Sequence, residues 1–182
     1  MKCAPTYNIH LVFLTATLVI CGLPSSARSQ TQAATQKVGP FQVSAIQIEQ
    51  IQSADVKLPA EFQMALYENV IEQVEKTKRF QHVYRDGASS AEEAPDLVTL
   101  HCTVTGFKQG SAMTRQVTTV AGKTIITVHV QFTDKTSKGL FENDATGQVR
   151  YFGENLRATY DFGKKVGGVV RKNFMAQSPA SK

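Results

Sequence analysis

The chain has 182 residues, of which 42% are hydrophobic and 19% are charged, and its formal net charge is +5 at pH 7. This length and ordinary composition exclude collagen, disulfide-rich scaffolds and wholly disordered chains. They favour one folded domain and by themselves assign no function to it.

An apolar segment close to the N-terminus predicts that the protein is exported. Residues 11–21 form a short apolar run after the positive charge of Lys2, and Ala27 and Ser29 are small residues at the third and first positions before a cleavage point. This is the arrangement of a secretory signal peptide over residues 1–29. The alternative is an uncleaved signal that acts as an anchor, and we expect membrane attachment only in that case. The expected location is periplasmic or secreted.

The chain that remains after removal of the signal is weakly basic. Lys2 and Arg28 leave with residues 1–29 and no acidic residue does, so 18 basic and 15 acidic residues remain, a net charge of +3. Proteins that bind nucleic acid usually concentrate basic residues in a patch, so we expect no nucleic-acid partner. Cys102 is the one cysteine left, so we expect no intramolecular disulfide.

The first half of the mature chain alternates between strands and one helix. Residues 30–39 are polar and aperiodic, which predicts a disordered lead. Apolar residues at 41–51 predict a strand, and their phase slip indicates a bulge or a strand covered on both faces. A short strand is expected at 80–84 and a loop at 85–95. Between the strands, a helix at 59–78 is predicted by apolar residues that recur every four positions, namely Phe62, Leu66, Val70 and Val74.

The second half of the chain contains the longer strands. Alternation of apolar and polar residues predicts strands at 97–107 and 124–132. Residues 140–151 form a weaker strand or a strand pair, and an amphipathic helix follows at 155–174. The polar residues 176–182 are expected to be a disordered tail, which leaves a single domain at 40–175.

The order of these elements, β-α-β-β-β-β-α, predicts the fold class. Runs of adjacent strands with two helices are typical of an α+β two-layer sandwich. We expect a mainly antiparallel sheet of four to five strands with both helices on one face. The opposite face, rich in Thr, His and Gln, is then left to solvent or to a partner.

Alternation along the long strands also predicts which side chains can meet. Cys102 lies on the apolar side of its strand, so we expect a buried and unreactive thiol. If the two long strands form a hairpin centred near Arg115, then His101 and His129 lie directly opposite each other on the polar face. Two histidines are the start of a metal site, but their expected neighbours are threonines rather than acids, so solvated side chains are the simpler interpretation.

The segment between the two long strands is the candidate binding surface. If the hairpin forms, this segment is its tip and projects beyond the sheet. It contains Met113 and Val117 and three positive charges, Lys108, Arg115 and Lys123, and no acidic residue lies between Gly106 and Thr124. Loops on rigid scaffolds carry binding function disproportionately often, and Arg suits bidentate recognition of carboxylate or phosphate. The alternative is that Arg115 only braces the hairpin. No catalytic or cofactor-binding motif is found, so we expect no enzyme activity, no cofactor and no metal.

A family resemblance is carried by residues 95–115 and by the turn after the next strand. The first stretch contains a Pro-Asp pair, a strand, a glycine and Arg115, and the turn contains Asp134 and Gly139. Over most of residues 41–174 the pattern resembles the Domain of unknown function 4410 family of bacterial envelope proteins. The resemblance implies the fold of small periplasmic modules in envelope complexes and no known catalytic residues.

Two functions are compatible with these patterns. The first is a non-enzymatic exported module of the cell envelope or periplasm that docks an envelope protein or an anionic envelope component. The second is an exported metal-dependent enzyme, or a metal-binding protein, that uses His101 and His129. The oligomeric state does not follow from the sequence.

Overall fold

The computed structural model describes residues 40–53, 55–118, 122–149 and 154–176. The predicted signal peptide and the predicted lead lie outside the described residues, as does nearly all of the predicted tail. None of the helices within the described ranges is long and apolar enough to span a membrane. The elements in chain order are β1 Ala45–Ile48, β2 Gln52–Ser53, α1 Ala60–Glu75, β3 His82–Arg85, α2 Ser89–Glu92, β4 Leu97–Lys108, α3 Ala112–Val117, β5 Thr124–Asp134, β6 Gly139–Val149 and α4 Arg157–Asn173.

The strands form one mixed sheet in the order β3-β1-β4-β5-β6, with the short β2 paired alongside β4. β1 is parallel to both β3 and β4, whereas β4, β5 and β6 are successive antiparallel neighbours. The α+β class is therefore confirmed, but the expected mainly antiparallel sheet of four to five strands is corrected to a mixed sheet of six strands. The cause is α1, which connects β1 to β3 as a crossover and so returns the chain in the same direction.

The two long helices bury their apolar stripes in one core with the sheet. Alternate residues of β4 and β5, among them Cys102, complete this core. Gly163 allows α4 to approach α1 closely, because a Cβ at this position would lie 2.8 Å from the backbone oxygen of Asn69. The buried residues of the two stripes include Phe62, Leu66, Val70, Val74, Phe162, Val166 and Val170.

The phase slip in the first predicted strand has a structural cause. Ile46 and Ile48 face the main core, whereas Ala45 faces the other side of the sheet and packs in a small cluster with Ala91 and Leu97. β1 is therefore covered on both faces at this end, because α2 and the residues around it lie over the otherwise open face. The predicted strand at 41–51 is correspondingly shortened to the four residues of β1.

The last strand is continuous rather than interrupted. β6 pairs with β5 along its length from Gly139 to Val149. Side chains of α4 bond to its outer edge, since the backbone N–H of Gln148 donates to Asp161 Oδ2 at 3.0 Å and Lys165 Nζ donates to the carbonyl of Thr146. Bonding an edge strand in this way satisfies backbone groups that would otherwise invite pairing with another chain.

Candidate functional site

The hairpin that the sequence predicts between the two long strands is present. β4 and β5 pair antiparallel, and the pair nearest the turn joins Lys108 to Ile125. We call the described residues between these strands, 109–118 with 122 and 123, the hairpin tip. The tip contains a short helix, α3, that the sequence reasoning missed. Its signal was Ser111, whose hydroxyl accepts the backbone N–H of Thr114 at 3.3 Å and so caps the helix.

A tight neck holds the tip at its base. A Cβ at Gly110 would lie 1.9 Å from the carbonyl oxygen of Gly122, so the two backbones touch where the chain leaves and re-enters the sheet. The Gly110 N–H donates to the buried hydroxyl of Thr124 at 3.0 Å, and that hydroxyl donates to Asn155 Oδ1 at 2.7 Å. These bonds fasten the neck to the residues just before α4.

The tip presents apolar and basic groups together. The side chains of Met113 and Val117 are 76% and 81% exposed, the highest values of any large hydrophobic residue in the described ranges. Four residues apart on α3, they lie on the same side of the helix. Lys108 is exposed at the end of β4, Lys123 is half-buried just before β5, and Arg115 belongs to α3. The three predicted site residues are thus all at this end of the hairpin.

The expected pairing of the two histidines is wrong. His101 stands opposite Gln131, and His129 stands opposite Thr103. The expectation assumed a turn centred on Arg115, but the turn is centred further along the chain, and a bulge between Val104 and Gly106 shifts the register again. The two histidines share the polar face without being directly opposite each other.

Each histidine is instead engaged with acids that the sequence reasoning did not anticipate. His101 Nδ1 lies 2.7 Å from Glu49 Oε2, and its Nε2 lies 3.0 Å from the hydroxyl of Thr133. His129 Nδ1 lies 2.8 Å from Asp144 Oδ1. Among the described residues, no group of three or more His, Cys, Asp or Glu side chains is arranged to hold a metal ion. His129 Nε2 also lies 3.6 Å from Glu142 Oε2, so the two histidines belong to two separate polar clusters.

Hydrogen bonds connect the Glu49 carboxylate to the His101 imidazole and that imidazole to the Thr133 hydroxyl. In hydrolases this order activates a nucleophile, but the hydroxyl must then be reachable by a substrate. Thr133 is only 7% exposed, and it lines a groove of about 280 Å³ together with Glu49 and His101. The two contacts of His101 orient its imidazole and link the residue after β1 to the two long strands.

The predicted burial of Cys102 is confirmed. The residue is 2% exposed and lies in the main core. Burial raises the pKa of the Cys102 thiol to about 12, because the thiolate would be desolvated. A thiol with that pKa carries little of the nucleophilic thiolate at neutral pH.

A groove between α1 and the end of β1 is a further feature that the sequence reasoning missed. It encloses about 420 Å³ beside Met64, Tyr67 and Gln63. Its polar groups are largely engaged in the fold, since Gln63 Nε2 donates to the carbonyl of Ile51 at 2.7 Å and the Tyr67 hydroxyl donates to that of Ile48 at 3.3 Å. The sequence signal for this groove was Met64, an apolar residue on the polar side of α1.

The chain matches one known protein family over most of its length. Residues 37–177 match the family model described as Domain of unknown function (DUF4410). The chain belongs to this family. The match confirms the resemblance that residues 95–115 carry, and it includes the hairpin tip. No curated protein matches the sequence.

Among solved structures, the chain is similar to PelC from Paraburkholderia phytofirmans, crystallised as a dodecamer. In one crystal form the two chains share 9% identity at a TM-score of 0.54, over 73% of this chain and 89% of PelC. A second PelC structure gives the same values over 71% and 90% of the chains. A Xanthomonas campestris protein of the DUF330 family shares 14% identity at a TM-score of 0.43, over 74% and 86%. At these identities the PelC likeness shows a shared fold alone.

Proposed function

We propose that this chain is a non-enzymatic exported module of the bacterial envelope that docks an envelope protein or an anionic envelope component through its hairpin tip. Export is supported by the signal-like pattern of residues 1–29. Docking is supported by the position of Lys108, Arg115 and Lys123 around one protruding end of a long hairpin.

One observation carries the proposal. Met113 and Val117 are held almost fully in solvent on a tip whose neck is fastened by backbone contact and hydrogen bonds. Exposed apolar side chains cost free energy in water, and this cost is recovered when a partner covers them. The surrounding positive charges favour an anionic partner and raise the rate of encounter with it.

We also propose that the chain self-associates. PelC, which has a similar fold, is a dodecamer in its crystals, and this supports a homo-oligomer here. Light scattering coupled to size-exclusion chromatography tests the proposal on the protein purified from the envelope fraction. A mass of several chains is expected, and a mass of one chain at all concentrations contradicts self-association while leaving docking untouched.

The docking experiment replaces Arg115 by Lys and by Ala and measures retention of the purified protein on immobilised envelope extract. We expect weaker retention with an unchanged melting temperature, and a larger loss for Arg115→Ala. Arg171, exposed in the last turn of α4, supplies the matched control pair Arg171→Lys and Arg171→Ala. Intact retention with a large drop in melting temperature in both Arg115 variants would show a bracing role and would overturn the proposal.

The enzymatic alternative has its own test. Metal analysis of the purified protein should show no stoichiometric zinc or copper. Bound metal that is lost in His101→Ala or His129→Ala would contradict the non-enzymatic proposal and favour a metal-dependent protein.

A further inference from the structure

The partner class of the hairpin tip can be named from its surface chemistry. We infer that the tip inserts Met113 and Val117 into the surface of an anionic phospholipid bilayer, with Lys108 and Lys123 at the level of the headgroups. The inference rests on the proposed function, because it concerns the same surface. It goes beyond the sequence expectation, in which a membrane contact came only from an uncleaved signal.

The size of the apolar surface favours a bilayer over a folded protein. α3 has six residues and presents two large apolar side chains. A stable protein interface buries about 800 Å² on each partner, which so small a helix does not supply. A bilayer requires no matching shape, and it accepts isolated apolar side chains at the boundary between headgroups and acyl chains.

The charge of the tip favours anionic lipid in particular. The segment from Gly106 to Thr124 contains Lys108, Arg115 and Lys123 and no acidic residue. Basic residues next to a membrane are attracted by anionic headgroups, and the attraction is screened within about 10 Å at moderate ionic strength. Apolar side chains flanked by basic ones, without acids, therefore match an anionic surface better than a neutral one.

The neck makes insertion compatible with the folded state. The backbone contact of Gly110 with Gly122 and the bonds of Thr124 hold the tip beyond the end of the sheet. Behind it, the ring of Phe107 packs edge-on against Phe62 at a centroid distance of 4.9 Å, which fixes the end of β4 to the core. Met113 and Val117 are exposed without any rearrangement.

The sequence provides a clean local reporter, because the chain contains no tryptophan. The experiment uses the Met113→Trp protein, purified from the envelope fraction in the form in which the cell leaves it. Its emission is recorded with vesicles of phosphatidylcholine and with vesicles that also contain phosphatidylglycerol. We expect a blue shift only with phosphatidylglycerol, and a smaller shift at high salt. Membrane attachment through residues 11–21 does not shift the emission of this tryptophan, because the emission reports on the surroundings of position 113.

Met175→Trp is the matched control. Met175 is 46% exposed and follows Phe174, whose ring lies 5.5 Å from Phe132 at the other end of the hairpin. Phe132 pairs with Leu100, which lies eight residues, about 26 Å at roughly 3.3 Å per residue, along β4 from Lys108, so the control lies at the opposite end of the hairpin from the tip. We expect no blue shift in this variant with either vesicle.

A second measurement tests the energetics of insertion. Met113→Ser combined with Val117→Ser should lower cosedimentation with phosphatidylglycerol vesicles about tenfold or more, because the inserted apolar surface is lost. Met175→Ser should leave it unchanged. Both sites are exposed, so an unchanged melting temperature is expected in each protein.

Two results would overturn the inference. One is the absence of a shift from Met113→Trp with anionic vesicles, and the other is an equal shift from Met113→Trp and Met175→Trp. If Arg115→Ala still weakens retention on envelope extract in that case, the partner is an envelope protein or an anionic component other than the bilayer, and the docking proposal stands. If retention is also insensitive to Arg115, both the inference and the docking proposal fail.

Discussion

At the end of the β4–β5 hairpin away from the tip, phenylalanine rings pack against one another, whereas at the tip Met113 and Val117 project into solvent. Neighbouring rings in the aromatic group have centroid distances between 4.4 and 6.0 Å. We call this group the aromatic end, and its members are Phe41, Phe80, Phe132, Phe141 and Phe174.

Under the proposed function, the aromatic end contributes stability to the fold and the tip contributes binding. Apolar surface buried at the aromatic end stabilises the fold by roughly 25 cal/mol per Å² removed from water. Apolar surface at the tip is not removed from water, so it contributes nothing comparable to the fold. Variants at the aromatic end should therefore change stability, and variants at the tip should change binding.

The largest expected effect is on thiol reactivity. Cys102 in the native protein should react with a thiol reagent at least about a thousandfold more slowly than a cysteine placed at the tip by Met113→Cys, because labelling of the core needs opening of the fold. Peptide mass spectrometry after timed labelling identifies each site. Rapid native labelling of Cys102 would show that the register of β4 is wrong.

A large loss of stability is expected at the aromatic end. Phe174 is 1% exposed and contacts the rings of Phe41, Phe80, Phe132 and Phe141. Phe174→Ala should lower the free energy of unfolding by about 3–5 kcal/mol, measured by urea denaturation. A loss below about 1 kcal/mol would mean that these rings do not form a packed unit.

An intermediate effect is expected at the neck. Gly110→Ala places a Cβ against the Gly122 backbone, so the neck must move, at a cost of about 1–3 kcal/mol in unfolding free energy. Gly139→Ala is the matched control, since nothing lies within 4 Å of a Cβ there. Equal stabilities of the two variants, by thermal and urea denaturation, would argue against a closed neck.

The smallest effect is expected at the exposed tip. Met113→Ser and Val117→Ser should each leave the free energy of unfolding within about 0.5 kcal/mol of the original protein, because neither side chain is buried. Urea denaturation measures this. A loss of 2 kcal/mol or more, on the scale of a buried side chain, would mean that the tip folds back on the domain and that the contrast between the two ends is false.

Local periodicity predicts the elements and their faces well. The four-residue spacing of Phe62, Leu66, Val70 and Val74 gives α1 to within a few residues of its observed ends, and the alternation around Cys102 gives the buried side of β4. Both succeed because one stripe or one face is buried continuously, so the pattern in the sequence is complete.

Periodicity does not predict partners across the sheet. The hydrogen bond between His101 and Glu49 joins residues 52 positions apart. The bulge between Val104 and Gly106 moves the core-facing positions of β4 from even to odd numbers, so Phe107 packs against Phe62, whereas the predicted alternation continues on even numbers. α3 was missed because six residues are too few to show a helical period, although Ser111 marked its start. Of the candidate site, the sequence analysis named the three basic residues together with Met113 and Val117, while the exposure of that apolar pair needed the structure.

The most direct test of the docking tip is site-specific photo-crosslinking in intact cells. A photoreactive amino acid is placed at position 113 in one protein and at position 175 in another, and adducts are identified from the envelope fraction. The tip account predicts adducts with lipid or protein from position 113 and none from position 175. Adducts from position 175 with none from position 113 would contradict it, since the partner surface would then lie near the aromatic end.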